Sequence, residues 1–224
     1  MRLQLIAALA LASAACGASP IENLQLRWQG VGAAPSPSPY VAQALSTVPV
    51  AFGLRDVRPD PTVVGLHEDG GHVVRTTDNV AQYASSKMGE MLRAAGARLD
   101  EAPMAVVESD LIDYKVNEGG TFHGTAAIRI TVRRGGSPDW SKTFQGKSTR
   151  WGKSFSPDNF NEALSNALYD ATEKLVRDDS FGAAVMGVPQ PPQPAGGQLN
   201  VDVRIEGSTN AGQPPPPAGS PTGH

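Results

Sequence analysis

Apolar positions in the middle of the chain follow two periods, and each period predicts a different kind of element. Apolar and polar residues alternate in several stretches, which is typical of strands that bury one face. The alternation predicts strands at Met104–Tyr114, Thr125–Arg133 and Trp140–Trp151. A short apolar run, Thr47–Leu54, predicts an earlier strand, and short extended pieces follow at 63–65 and 72–75. One-faced alternation predicts an antiparallel sheet with one side exposed to water.

Two further segments carry apolar residues at helical spacing. The first runs from Val80 to Ala95, after a capping side chain among residues 77–79. The second opens at Ser156-Pro157, a cap followed by proline in the first turn, and its apolar stripe runs from Phe160 to Leu175. We therefore predict an α+β fold with two layers: a mainly antiparallel sheet of about four to five strands, covered on one face by two amphipathic helices.

The start of the chain has the parts of an export signal. Residues 1–15 are basic at Arg2, then apolar, then small, and Cys16 follows as the single cysteine. The apolar run of about ten residues is well short of the ~20 that span a bilayer. Cysteine after small residues resembles the lipobox of bacterial lipoproteins, which implies a lipid anchor with palmitate on Cys16. Ser13 stands where a lipobox usually has leucine, so the alternative is ordinary secretion with cleavage after Ala14.

The composition of the rest of the chain indicates how it is divided into segments. We predict that 16–46 form the lipidated cysteine and a Pro-rich tether, that 47–187 form the domain, and that 188–224 form a Pro/Gly-rich tail. Within the tail, residues 198–206 alternate like a strand. This strand is weakly ordered or added to the edge of the domain's own sheet, or it docks on the sheet edge of a partner.

The charges and candidate reactive groups favour binding over catalysis. A net charge of −3 without a basic stripe argues against nucleic acid as a partner. His67 and His72 flank a Gly-rich stretch, which predicts a solvated loop and no metal site. Glu108 and Asp110 share one face of a strand and Asp113 takes the opposite one, which is typical of a water-exposed strand face. With no nucleophile elbow and no phosphate loop, we expect neither an enzyme nor a cofactor.

Five residues form a candidate recognition patch. Arg55, Asp56 and Arg58 follow the end of a strand, where either they meet a partner or Asp56 caps the turn and pairs with an arginine. Trp140 and Trp151 bracket the last strand, where they either pack in the core or serve as interface anchors or a glycan platform.

Several short segments carry a family resemblance. They are Phe52–Arg58, Val64-Gly65, Met91–Gly96, Lys142–Gly146 and Asn161–Leu168. Together with Cys16 they resemble the YajG-like family of bacterial envelope lipoproteins, over somewhat more than half of the chain. The resemblance implies an α+β domain on the periplasmic side of the outer membrane, with no assigned enzymatic activity. Lipoproteins retained at the inner membrane often carry aspartate after the cysteine, and Gly17 here favours the outer membrane.

These observations lead to two functional hypotheses. The first is a lipid-anchored periplasmic interaction module that binds an envelope protein or the cell-wall polymer. The second is an accessory lipoprotein subunit of an envelope transport or lipid-trafficking complex. An apolar groove between helix and sheet would favour lipid handling, whereas a flat polar or aromatic patch would favour a protein or glycan partner. A hydrolase would need a convergent polar pocket, which the sequence does not indicate.

Overall fold

The computed structural model describes residues 20–67, 72–99, 102–137 and 139–189. Its elements are, in order, α1 (Pro39–Thr47), β1 (Val50–Asp56), β2 (Val63–His67), β3 (Val73–Arg75), α2 (Val80–Ala94), β4 (Ala105–Glu118), β5 (Phe122–Arg133), β6 (Trp140–Arg150), α3 (Pro157–Val176) and α4 (Asp179–Met186). Cys16 and the alternating segment 198–206 lie outside the described residues.

Six strands form one open sheet in the order β3-β2-β4-β5-β6, with β1 also beside β4. β1 and β2 pair with the same long strand in parallel: Val50 lies opposite Ala105, and Gly65 lies opposite Val116. The other three pairings, β2–β3, β4–β5 and β5–β6, are antiparallel. The predicted α+β fold with a mainly antiparallel sheet is therefore confirmed.

The alternation along β5 shows how the sequence assigns the two faces of the sheet. Ala126, Ile128, Ile130 and Val132 are buried in the core, whereas the side chains between them point away from it. Helices α2 and α3 add their apolar stripes to the same core. Burying each large aliphatic side chain contributes ~1.5–3 kcal/mol, so the one-faced pattern is enough to hold helices against one side of the sheet.

A glycine on β6 lets α3 lie close to the strand. A Cβ added at Gly146 would lie 1.9 Å from the carbonyl oxygen of Ala167 on α3. Glycine in a strand often marks such a close approach of another backbone. Ala163, Ala167 and Ala171 give α3 a small-residue face at the same side, so helix and strand pack almost backbone to backbone.

The described residues form four helices where we predict two; the additional helices, α1 and α4, are short. Ser38 caps α1 by accepting a hydrogen bond from the Val41 N–H, and Pro39 occupies the first turn. This is the same cap-and-proline signature as Ser156-Pro157, but the Pro-Ser repeats before it favour an extended interpretation. The Ser38 hydroxyl also donates to Asp179 at the start of α4 (2.6 Å), which joins the two short helices.

The predicted tether is wrong from Pro20 onwards, because the chain there packs against the domain. Leu24 and Leu26 are buried. The Leu24 N–H donates to the Arg75 carbonyl (2.7 Å), and the Arg75 N–H donates to the Glu22 carbonyl (3.1 Å). The segment therefore extends the sheet beyond β3, and the domain begins well before residue 47.

Arg58 joins β1 and β2 along the edge of β4. Its Nε and Nη2 atoms donate to the two carboxylate oxygens of Asp56 at 2.9 and 2.7 Å. Its remaining N–H groups donate to the carbonyls of Pro61, Val63 and Tyr114 at 2.7, 2.7 and 2.9 Å. All five guanidinium donors are thus used. The side chains of Arg58 and Asp56 are only 5% and 7% exposed.

We predict that Arg58→Ala lowers the free energy of unfolding by ~3–5 kcal/mol, because it leaves a buried carboxylate without its counter-charge and three carbonyls without the guanidinium donor. The matched control is Arg55→Ala, which removes an exposed ion-pair partner and should cost less than ~1 kcal/mol. Urea denaturation of both variants measures the difference. Equal losses in the two variants would contradict the structural role of Arg58.

Candidate functional site

The side of the sheet that faces away from the core is built from strand alternation. We call it the uncovered face and define it by Arg55 on β1, Glu108 and Asp110 on β4, and Arg129, Thr131 and Arg133 on β5. The side chains of Arg129 and Arg133 are 50% and 51% exposed. Glu108 and Asp110 share this face as predicted, but only Glu108 is exposed to water, since Asp110 is buried.

A carboxylate held between two guanidinium groups crosses this face. Arg55, Asp110 and Arg129 lie side by side in register on β1, β4 and β5, and we call them the arginine row. Arg55 donates from Nε and Nη2 to one oxygen of Asp110 at 3.0 and 2.7 Å. Arg129 donates to the other oxygen at 3.3 and 2.9 Å. Two cations and one anion leave the row with one net positive charge.

Asp110 is 8% exposed although it lies on the uncovered face, because the two arginines cover it. Burial by itself would raise the pKa of this carboxyl. The hydrogen bonds and charges of Arg129 and Arg55 outweigh that effect and hold the pKa below its ordinary value. Asp110 therefore stays ionised and fixes both arginines in place.

A second ion-pair group continues the line along β5. Arg133 donates to Glu108 at 2.6 Å and to Asp139 at 3.1 Å. The side chains of these three residues are about half exposed. Charged groups therefore run from β1 to the turn that precedes β6.

Asp113 also faces this side, contrary to the prediction from simple alternation. The register between β4 and β5 shifts between Leu111 and Asp113, so Asp113 lies opposite Ala127. Its carboxylate accepts a hydrogen bond from the Thr125 hydroxyl at 2.8 Å. A bulge of this kind places two residues opposite one and turns the following side chain to the other face.

The structure places the five residues of the predicted recognition patch in different environments. Arg55 is exposed at 72% and belongs to the arginine row. Asp56 and Arg58 are buried and bonded to each other, so their side chains do not face a partner at the surface. For Arg55, recognition stays a prediction.

The two tryptophans lie at opposite ends of β6, which spans roughly 33 Å at the usual rise per residue. Trp140 is buried and packs near Phe144 and Phe181, with ring centroids 6.4 and 6.0 Å away. Trp151 is 73% exposed. They therefore do not form a joint platform, and a recognition role stays a prediction for Trp151 alone.

His67 is buried, which corrects the predicted solvated loop. Its Nδ1 bonds to the Glu118 carboxylate, and its Nε2 accepts a hydrogen bond from the Ile21 N–H at 3.2 Å. The Phe155 N–H donates to the second oxygen of Glu118 at 2.7 Å. Because a backbone N–H donates to Nε2, the ring bonds to Glu118 through its other nitrogen, Nδ1. The pair holds the segment around Ile21 against the domain.

The described residues also bear on two other kinds of site, a metal site and a lipid-binding groove. Within the four described ranges, no three His, Cys, Asp or Glu side chains come together to hold a metal ion. A groove of about 350 Å³ lies at the start of α2, between that helix and residues 25–26. Its polar lining includes Gln25, Asp78, Gln82 and Lys87, which does not suit an acyl chain.

Comparisons with known proteins give weak similarities. No protein-family model and no curated protein sequence matches the chain. A Xanthomonas campestris protein of the DUF330 family is similar in structure, with a TM-score of 0.49 and 13% identity, over 75% of this chain and 95% of that one. A lipoprotein candidate from Caulobacter crescentus has a TM-score of 0.41 and 9% identity, over 66% of this chain and 96% of that one. At these values the similarities assign neither a family nor an activity to the chain.

None of the helices described here has both the length and the apolar character needed to cross a bilayer.

We predict that Asp110→Asn removes a pH-dependent part of the stability. A carboxylate with a depressed pKa stabilises the fold above its unfolded pKa of about 3.9, and this contribution is lost as the pH falls through the folded value. The native chain should therefore be more stable than the variant at pH 7, and the difference should shrink from about pH 4 downwards. Urea denaturation across this range measures it. A difference that stays constant down to pH 2 would contradict the assignment.

Proposed function

We propose that this chain is a lipid-anchored interaction module of the bacterial envelope, which presents the uncovered face of its sheet to a partner. The observation that carries this proposal is the arginine row. Two guanidinium groups are fixed by one buried carboxylate, and their remaining N–H groups, on the side away from Asp110, bond to none of the described residues. Fixed donors lose little entropy when they bind, which favours recognition of carboxylate or other anionic groups.

The chemistry of the same face argues for binding over catalysis. Arginine stays protonated in proteins and does not act as a general base. The carboxylates of Asp110 and Glu108 are engaged by arginines. A reactive centre needs a nucleophile or base that is not fully engaged in this way.

The groove at the start of α2 helps to decide between the two functional hypotheses. A lipid-trafficking subunit calls for an enclosed apolar cavity, whereas this groove has the carboxylate of Asp78, the ammonium group of Lys87 and several amide groups among its lining. The partner that we propose is therefore an envelope protein or the cell-wall polymer, recognised at a polar surface.

The packing of residues 20–29 changes where the domain would sit. From Cys16 to Pro20 the chain covers at most roughly 14 Å. The Arg27 N–H donates to Asn161 at 2.9 Å and the Gln29 N–H donates to Ser165 at 3.1 Å, so the following residues lie along α3. A lipid on Cys16 would therefore hold the domain close to the periplasmic surface of the outer membrane, not at the end of a long tether.

We predict that the native chain incorporates labelled palmitate in growing cells and fractionates with the outer membrane, whereas Cys16→Ser carries no label. Acylation requires the thiol, and stable membrane attachment requires more than one acyl chain. Ser19→Ala is the matched control and should behave as the native chain. Unlabelled, soluble native protein would indicate simple export and would remove the anchor from the proposal.

We predict that the double variant Arg129→Gln, Arg133→Gln loses cross-links that the native chain forms in cells treated with formaldehyde. The variant removes two cationic forks from the uncovered face, and such partner contacts typically cost ~2 kcal/mol or more when they are central. Arg93→Gln with Arg177→Gln changes the same charge on helices and serves as the control. Cross-links that survive the first variant and disappear in the second would place the interaction on the helical side.

A further inference from the structure

The edges of the sheet differ in how their outward backbone N–H and C=O groups are bonded. An edge strand exposes unpaired N–H and C=O groups, and proteins usually cover or block them. At β6 the Lys147 N–H donates to Asp170 at 2.9 Å, and the Lys174 ammonium donates to the Gln145 carbonyl at 2.8 Å. Helix α3 thus covers the middle of this edge, at Gln145 and Lys147, with two side chains. At β3 the segment around Leu24 closes the edge with the two backbone hydrogen bonds already described.

The outer edge of β1 is different. The Val57 N–H donates inward to the Leu111 carbonyl at 3.1 Å, and the Val50 N–H donates outward to the Arg98 carbonyl at 2.9 Å. Alternate residues of a parallel strand bond to the same side, so Phe52 and Leu54 direct their N–H and C=O groups outward. No described group of the chain bonds to these outward groups.

Gly53, between these two residues, has no internal explanation. Its φ is not in the left-handed region. A Cβ added there would meet nothing within 4 Å. Glycine weakens a strand interior because it loses more conformational freedom on folding, and in strands it often marks the close approach of another backbone. No backbone of the described residues approaches Gly53 in this way.

The limits of this edge indicate what fits it. Arg98 and Leu99 already lie beside Val50, so the open length is the short stretch from Phe52 to Asp56. An antiparallel second copy of β1 centred on Gly53 would bring its own Asp56 to the place that Arg98 and Leu99 occupy. A short extended segment of another protein meets no such obstacle.

The side chains of β1 define the character of that segment. On the core side, Phe52 and Leu54 are half-buried at the border of the hydrophobic core, and they offer apolar contacts to every second residue of an added strand. On the uncovered face, Arg55 is exposed and belongs to a row with one net positive charge. A carboxylate opposite Arg55 would complement this charge.

We infer that the outer edge of β1 binds an extended segment of a partner protein, which adds as a further strand with alternating apolar residues and a carboxylate facing Arg55. Backbone hydrogen bonds to Phe52 and Leu54 would provide affinity, and the two side-chain rows would provide selectivity. The inference rests on the proposed binding function and names the class of its partner.

The test uses amide hydrogen exchange by NMR on the chain from Gly17, which keeps every described residue. The probe is a capped peptide, Thr-Val-Thr-Val-Asp-Val-Thr-Val, and the control peptide has Lys in place of Asp. Without peptide, the Phe52 and Leu54 amides should exchange fast while Val57 is protected. The Asp peptide should slow exchange at Phe52 and Leu54 roughly tenfold or more, as expected for gaining a hydrogen bond.

Two variants distinguish the contribution of backbone pairing to peptide binding from the contribution of charge. Leu54→Pro removes an outward N–H that bonds to nothing described in the chain, and should weaken the Asp peptide roughly tenfold relative to Leu54→Ala, which keeps the N–H. Arg55→Gln should remove the preference for the Asp peptide over the Lys peptide. Arg55→Gln also keeps the test decisive if the proline variant does not fold.

Three results would overturn the inference. They are protection of Phe52 and Leu54 in the chain without peptide, equal binding of the peptide by Leu54→Pro and Leu54→Ala, and protection that grows with protein concentration alone, which would assign the edge to a second copy. Since this test uses the isolated chain and one edge, its failure would leave the lipid anchor and the uncovered face to be judged by their own experiments.

Discussion

The fold depends on one buried guanidinium. β1 and β2 share a single edge of β4, and the chain between them must turn without leaving backbone carbonyls unpaired in the interior. Arg58 solves this by donating to carbonyls on both sides of the turn and to Tyr114 on β4, while Asp56 balances its charge. A buried charge is tolerated when every donor is satisfied and a counter-charge is in contact. These hydrogen bonds of Arg58 help to fix the position of β1, and with it the position of Arg55 on the uncovered face.

Strand alternation gives the neighbouring charged residues of β1 opposite roles. Asp56 is buried with Arg58, whereas Arg55 points to the uncovered face and meets Asp110. The buried His67–Glu118 pair also has a structural role, since it holds the residues around Ile21 against the domain. The two buried ion pairs hold the structure together, whereas the exposed guanidinium groups of Arg55 and Arg129 lie on the uncovered face. This arrangement is the basis of the recognition function that we propose.

Sequence patterns predict the long elements well and the short ones poorly. The three long strands and the helices α2 and α3 repeat their period many times, so packing and local preference agree. Helices α1 and α4 have too few turns to show a period, and Pro-Ser repeats obscure the cap at Ser38. The burial of His67 depends on Ile21, and the orientation of Asp113 depends on a register shift. Neither a distant partner nor a bulge leaves a signal in local periodicity. For the site, the position of Arg55 after a strand made it a candidate, but no sequence pattern indicated its contact with Asp110 across the sheet.

An open strand edge is a cost that the fold does not require. Helix α3 and the segment around Leu24 protect parts of the other two edges through specific hydrogen bonds. An unprotected edge invites unwanted pairing with other chains, and glycine at its centre weakens the strand further. Arg55 lies next to this edge and carries charge into the surface where pairing would occur. A basic side chain at an edge discourages apolar aggregation-prone strands while attracting acidic ones. Under the proposed function, the edge and the arginine row would therefore act on the same partner, the first through its backbone and the second through its charge.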